Sequence, residues 1–353
     1  MPAPHRRYRG PGVRMSRLIL LLALILGLPT SACAIREFDA TPISLADRVG
    51  PGDAYAGIRL LGALRLSDAQ IDGLRLCGLS GLAWDEDASL LYAISDQGRL
   101  FHLRPEFDGH GYLSRIRPVA AYPLRNAAGA PLRAPFDDAE GLAIRNGENG
   151  IPGDAELLVS FEVKPRVARY NPKGEWRGEE PLPAPLRDIR NYRDNNQALE
   201  SVTLHPRWGV LVGTEAPLRA DPAGQVRIFT RQSPFWNYPL GNAPGSALVA
   251  MEALADGSLL TLERAFVAPL RPLIISLRRT EPLPAPGTNQ TLLKVADLAV
   301  FDSGQGWLLD NFEGLTYYRD RRFFIVSDDN CNAWQATLLV YFELQSAVST
   351  ATR

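Results

Sequence analysis

One pattern recurs five times along the chain, and a periodicity near 60 residues limits the fold more than any other feature of the sequence. In each copy a polar or acidic lead residue opens a short apolar strand, a turn follows, and a second apolar strand ends at another acid. The copies span 80–84 with 91–96, 140–144 with 157–162, 200–204 with 210–215, 252–254 with 259–263, and 313–317 with 323–328. Their lead residues, Ser80, Glu140, Glu200, Glu252 and Glu313, stand 60, 60, 52 and 61 positions apart. A third apolar stretch follows every pair, at 100–103, 167–170, 226–230, 273–277 and 338–342, and a fourth is clearest at 292–301.

Four strands per module make a propeller blade, whose inner strands are covered on both faces by neighbouring blades and so read as continuous apolar runs. Contents of 30 Gly and 28 Pro suit many short strands and turns. The last module has no fourth strand of its own, while residues 58–66 form an apolar strand with no module. Docking 58–66 onto the last module closes the ring and removes an exposed edge. The expectation is an all-β propeller of four-stranded blades, five by repeat count, with six as the alternative.

The chain has 353 residues, 46% of them hydrophobic, which supports a sizeable core. With 38 basic against 39 acidic residues, no positive excess exists to neutralise a nucleic acid backbone, so a nucleic acid partner is not expected. Arg17 precedes an eleven-residue apolar run, 18–28, broken only by Gly27 and followed by the small residues Ala32-Cys33-Ala34. That pattern predicts a signal peptide over 1–34, a single domain over 35–353, and a location in the periplasm or outside the cell after cleavage. Cleavage after Ala34 and a lipid anchor on Cys33 are the two alternatives. No run approaches the roughly 20 apolar residues of a membrane helix, so no transmembrane segment is expected. Removing the leader takes five arginines and no acid, moving the formal charge from −1 to −6. Cys77 and Cys331 then remain, either as a disulfide in an oxidising compartment or as two separate thiols.

Serine-elbow, phosphate-loop, Cys-x-x-Cys and His-Glu-x-x-His motifs are all missing, and the histidines are too dispersed for a zinc site. The acids carry the chemical signal. Equivalent positions in a propeller converge on one axis, so Glu140, Glu200, Glu252 and Glu313 are candidate metal ligands, with Asp96, Glu162, Glu215, Glu263 and Asp328 at the second-strand ends. Two carboxylates about 5 Å apart repel by roughly 3 kcal/mol at an effective dielectric near 20, which calls for a compensating cation. Oxygen ligands without His or Cys favour Ca²⁺ or Mg²⁺. Lys164 and Arg264 stand close behind two of the acids as candidate anion binders, and Asn195, Asn196, Asp329, Asn330 and Asn332 add oxygen donors. The competing reading has the acids capping turns or pairing with nearby arginines. Trp84, Trp208, Trp307 and Trp334 are expected to pack between blades, and Gly81, Gly141 and Gly314 to permit close backbone approach near the axis.

These motifs, above all Asn311-Phe312-Glu313-Gly314-Leu315 through Ser327-Asp328-Asp329-Asn330, with Asn195 to Glu200 and Glu263-Arg264, resemble the bacterial phytase-like family described as "esterase-like activity of phytase". The likeness runs from about 77 to 344, and the first module departs from it in having Ser80 where its fellows have Glu. It implies a propeller and an exported, metal-assisted hydrolase of phosphoric esters acting on a small anionic substrate. On that reading Glu140, Glu200, Glu252 and Glu313 hold the cation; Glu263, Asp328 or Asp329 orients the attacking water; Lys164, Arg264 and Asn330 bind substrate. A calcium-dependent lactonase-type propeller, or a non-catalytic periplasmic binding or assembly propeller, are the alternatives.

Overall fold

Each apolar run of the repeat forms a strand, and the strands of each module pair antiparallel into a four-stranded sheet. The computed structural model describes residues 38–231, 235–284 and 291–345, so the predicted leader, its cleavage site and Cys33 lie outside the described residues. Blade 1 comprises Leu79–Asp85, Leu90–Ser95, Arg99–Phe107 and Leu113–Pro123. Blade 2 comprises Ala139–Arg145, Glu156–Phe161, Arg166–Tyr170 and Trp176–Glu180. Leu199–His205, Gly209–Thr214, Gln225–Thr230 and Trp236–Pro239 make blade 3. Ser246–Ala253, Leu259–Ala265, Ile274–Pro284 and Thr291–Asp302 make blade 4. Blade 5 takes three strands from the chain's end, Asn311–Arg319, Arg322–Asp328 and Thr337–Leu344, and its fourth, Ile58–Leu66, from near the beginning. The protein is therefore an all-β, five-bladed propeller.

Ring closure follows the expected route. Thr337 to Leu344 pair antiparallel with Leu66 to Ile58, so the edge that would otherwise stand open is hydrogen-bonded. A disulfide spans the neighbouring seam: Cys77, just before blade 1, is bonded to Cys331, just after the second strand of blade 5, with Cα atoms 5.0 Å apart. Burial falls from the axis outward as expected. The first two strands of blade 1 are buried at every position, whereas the outermost strand of blade 2 is mostly exposed.

Cohesion comes from five hydrophobic clusters, one at each blade–blade contact. Leu82, Leu91 and Phe101 of blade 1 meet Leu64, Phe324 and Tyr341 of blade 5. Ile94 and Leu100 meet Leu142 and Val159 across the next contact, and Leu158 meets Leu199 and Val212 across the one after. Ile228 and Trp236 meet Leu248 and Leu259, and Leu262 and Ile275 meet Phe312 and Phe342. Near the axis the backbones crowd: a Cβ on Gly141 would stand 2.8 Å from the Glu200 carbonyl oxygen and 2.6 Å from Ser160 Oγ. Trp84 packs on Tyr318 and Trp307 on Tyr55, as blade aromatics should. Trp208 is only half-buried against Trp236, and Trp334 departs outright, being 94% exposed on the loop after blade 5's second strand.

Because the disulfide closes a loop of 254 residues, it removes much chain entropy from the unfolded state, up to about 5 kcal/mol in the chain-entropy treatment. The Cys77→Ser and Cys331→Ser variants are expected to unfold at clearly lower denaturant than the oxidised protein. Equal midpoints with and without reductant would show that the noncovalent contacts alone hold the seam.

Candidate functional site

All five inner strands carry a register slip near their first residues. Pairing with the second strand jumps from Leu79 to Gly81, Ala139 to Leu142, Leu199 to Ser201, Leu248 to Ala250 and Phe312 to Gly314. The residues bulged out are Ser80, Glu140, Glu200, Val249 and Glu313. A bulge releases one side chain from the in-and-out alternation of the sheet and re-aims it. Here the target is the axis, where Ser80, Gly141, Ser201, Val249 and Glu313 line one void of only about 10 Å³. Above that plug one carboxylate oxygen from each of Glu140, Glu200 and Glu313 lies within 4.8 Å of the other two. All three residues are buried.

A second tier comes from the residues just past the bulges' pairing partners: Asp96, Glu162, Glu215, Arg264 and Asp328. Each stands opposite the residue preceding its blade's slip, since Asp96 and Glu162 bond back to Gly78 and Asp138, Glu215 to Ala198, and Arg264 and Asp328 pair with Ala247 and Asn311. Glu162 groups with Asp138 and Glu140, and again with Glu200 and Glu215, at the same 4.8 Å limit. The acid Asp138 was not singled out from the sequence; its position two residues before Glu140 is the only signal for it.

Blade 4 departs from the expected register. The bulged position is Val249, not Glu252, which lies three residues further on, paired with Leu260 toward the opposite end of the strand. Glu252 takes a backbone hydrogen bond from Tyr317 and does not join the acids. Likewise Arg264, not Glu263, occupies the second-tier place. One residue of offset turns Glu263 to the other face of the sheet, where it accepts from Tyr238 Oη at 2.6 Å, Gly241 N at 2.8 Å and Arg278 Nη1 at 2.5 Å. Glu263 is thus part of a buried network between strands. Arg264 instead reaches the acids: Nη1 donates to Glu313 at 2.7 Å and to Asn311, and Nη2 donates to Glu215 at 2.5 Å.

The other predicted residues are distributed as follows. Asp328 stays with the acids, and its Oδ1 accepts the Asn330 amide at 2.6 Å. Asp329 turns to the seam instead, accepting from Gly78 N at 2.8 Å and Cys331 N at 3.0 Å. Asn330 and Lys164 are exposed on the loops bordering the cluster. Of the histidines, His102 and His205 bond the Pro172 and Gly257 carbonyls, remote from the acids.

Burial first, then mutual repulsion, raises the acids' affinity for protons. Glu140 and Glu200 are driven well above the ordinary carboxylate range, Glu162 to about 9 despite the Ala198 amide, and Glu313 to about 8 despite Arg264. Asp96 is raised to about 7 and Asp328 to about 6, again chiefly by burial. One guanidinium cannot balance this many carboxylates. The donors around Glu140, Glu200 and Glu313 are oxygens alone, a set that fits a hard divalent cation such as Ca²⁺ or Mg²⁺.

These shifts fix the pH response of the metal-free protein. Each acid binds protons more tightly folded than unfolded, so between about pH 4 and pH 9 the folded state carries more protons and stability falls as pH rises. Urea midpoints measured in chelator should decrease from pH 5 through pH 7 to pH 9. A midpoint that climbs over that range would contradict the cluster.

No curated protein matches the chain. Among solved structures, the crystal structure of the Myceliophteria thermophila Cps50 (Swd1) β-propeller domain is similar at 12% identity, over 80% of this chain and 91% of that one, with a TM-score of 0.33. That likeness is too loose to bear on blade count or function. The family described as phytase-like, with esterase-like activity of phytase, matches residues 75–331, a span running from the segment before the first bulge to the disulfide after the last. The chain belongs to the phytase-like family.

Proposed function

We propose that this propeller is an exported, metal-dependent hydrolase of phosphoric esters. The observation that carries the reading is the convergence of Glu140, Glu200 and Glu313 on the axis, where among the described residues only Arg264 is ion-paired to the clustered glutamates. The family's description supports an esterase-type reaction. A divalent cation held by those three glutamates would supply Lewis-acid polarisation of the phosphoryl group and balance the negative charge.

The remaining roles narrow from the sequence expectation. Among Glu263, Asp328 and Asp329, only Asp328 stays beside the cluster, and it is the residue assigned to orient the attacking water. Water's oxygen bonds to phosphorus as the ester P–O bond breaks, and the alcohol leaves with a proton. Arg264 is engaged with Glu215 and Glu313, so its role is to hold the ring acids in place more than to grip substrate. Lys164, exposed two residues after Glu162 and without an ion pair among the described residues, is placed to meet an anionic ester.

Metal analysis of the purified protein, paired with phosphomonoester, phosphodiester and lactone panels, tests the proposal. Glu200→Gln and Glu313→Gln should lose bound divalent cation and at least a hundredfold in turnover. The same two variants should be more stable than wild type in chelator at neutral pH, because each removes a buried carboxyl that folding must otherwise protonate, which separates loss of the site from loss of the fold. Wild-type metal content in both variants would refute the site. Metal-dependent stabilisation with no turnover on any panel would refute the hydrolase and leave a binding propeller.

A further inference from the structure

On blade 2 a groove of about 730 Å³ lies between the 124–138 loop and the outer strands of the blade. Its size is that of a small-molecule site. The walls combine Phe136 and Trp176, which are 51% and 37% exposed, with the basic residues Arg133, Lys164 and Arg166 and a single acid, Glu179. Arg166 is built into the wall. It donates to the Phe136 carbonyl at 2.6 Å and to the Lys164 carbonyl at 3.0 Å, and its guanidinium lies 3.7 Å over the Phe161 ring, so it locks the loop onto blade 2. Arg133 and Lys164 form no ion pair among the described residues.

The groove and the cluster share two chain segments. Phe136 stands two residues before Asp138, and Lys164 two residues after Glu162; both acids belong to the carboxylate cluster. A ligand lying in the groove with its anionic end at Lys164 therefore reaches the chain segment that carries Glu162.

We propose that this groove is the substrate subsite and that the substrate is a phosphoric ester with an aromatic or extended apolar group. The inference rests on the hydrolase reading above and deepens it. Lys164, at the junction, takes the phosphoryl oxygens, Arg133 adds attraction for the anion, and the organic group packs against Phe136 and Trp176. A compact polyol carrying many phosphates has no apolar face to offer these rings and would meet too few cations.

Binding of phenylphosphonate and methylphosphonate, which cannot be hydrolysed, separates this claim from catalysis. Titrated into the full chain by calorimetry, phenylphosphonate should bind at least tenfold more tightly. Trp176→Ala and Phe136→Ala should erase that preference while leaving methylphosphonate unchanged, and Lys164→Ala should weaken both probes. Equal binding of the two probes, or a preference that survives Trp176→Ala, overturns the subsite. Turnover of esters with no aryl preference would overturn the groove and spare the hydrolase. Absence of turnover with intact, ring-dependent phenylphosphonate binding would do the reverse.

Discussion

Repulsion among buried carboxylates at the axis is the constraint to which the rest of the molecule responds. Glu140, Glu200 and Glu313 approach within 4.8 Å, and each ionised pair at that distance opposes folding by about 3 kcal/mol at an effective dielectric near 20. Burial adds to the cost. Without a bound cation the protein meets it by proton uptake, by Arg264, and by backbone amides such as Ala198 N on Glu162 and Asn330 N on Asp328. Bulges are needed for the arrangement to exist at all. A regular inner strand buried on both faces would send these glutamates into the apolar contacts between blades, where no donor waits.

Blade 4 breaks the symmetry of the ring and so gives it a direction. It contributes Val249 where blades 2, 3 and 5 contribute glutamate, and Arg264 where the others contribute an acid. Arg264 then ties Glu215 of blade 3 to Glu313 of blade 5 across the gap, leaving Glu140 and Glu162 of blade 2 without a basic partner among the described residues. Negative charge is consequently least compensated on the blade 2 side. That is the side on which the groove with Arg133, Lys164 and Arg166 lies.

The blade number and the ring closure were legible because both rest on extended features, a period of about 60 residues and a fifth module short of one strand. The convergence of glutamates on the axis was legible in three blades out of the four that were assigned one. In blade 4 the residue type misled: Glu252 and Glu263 sit at plausible distances from each other, but a strand side chain changes face with every residue. An error of one position exchanges Glu263 for Arg264 and a ring acid for a ring cation. Sequence alone does not show a bulge, which adds one residue to one strand and leaves no compositional mark. The exposure of Trp334 was hidden for a similar reason, since a tryptophan on a loop and one at a blade contact look the same without the loop's course.

The seam between blades 5 and 1 is where an axis under electrostatic stress would open first, because there the last blade has to meet the first. Strand pairing of 337–344 with 58–66 completes blade 5 but does not by itself hold blade 5 to blade 1. That second task falls to the Leu82–Phe324–Tyr341 apolar cluster, the Cys77–Cys331 bond, and Asp329, which reaches from blade 5 to the Gly78 amide. Asp329 and Asp328 are adjacent yet serve opposite ends of the problem. One faces the repelling acids, and the other fastens the ring against them. Covalent closure at this position therefore does more than shrink the unfolded ensemble: it fastens Cys77, next to the Gly78 carbonyl that accepts the Asp96 amide, to Cys331, three residues after Asp328, so the segments carrying the two acids of the seam are tied to each other.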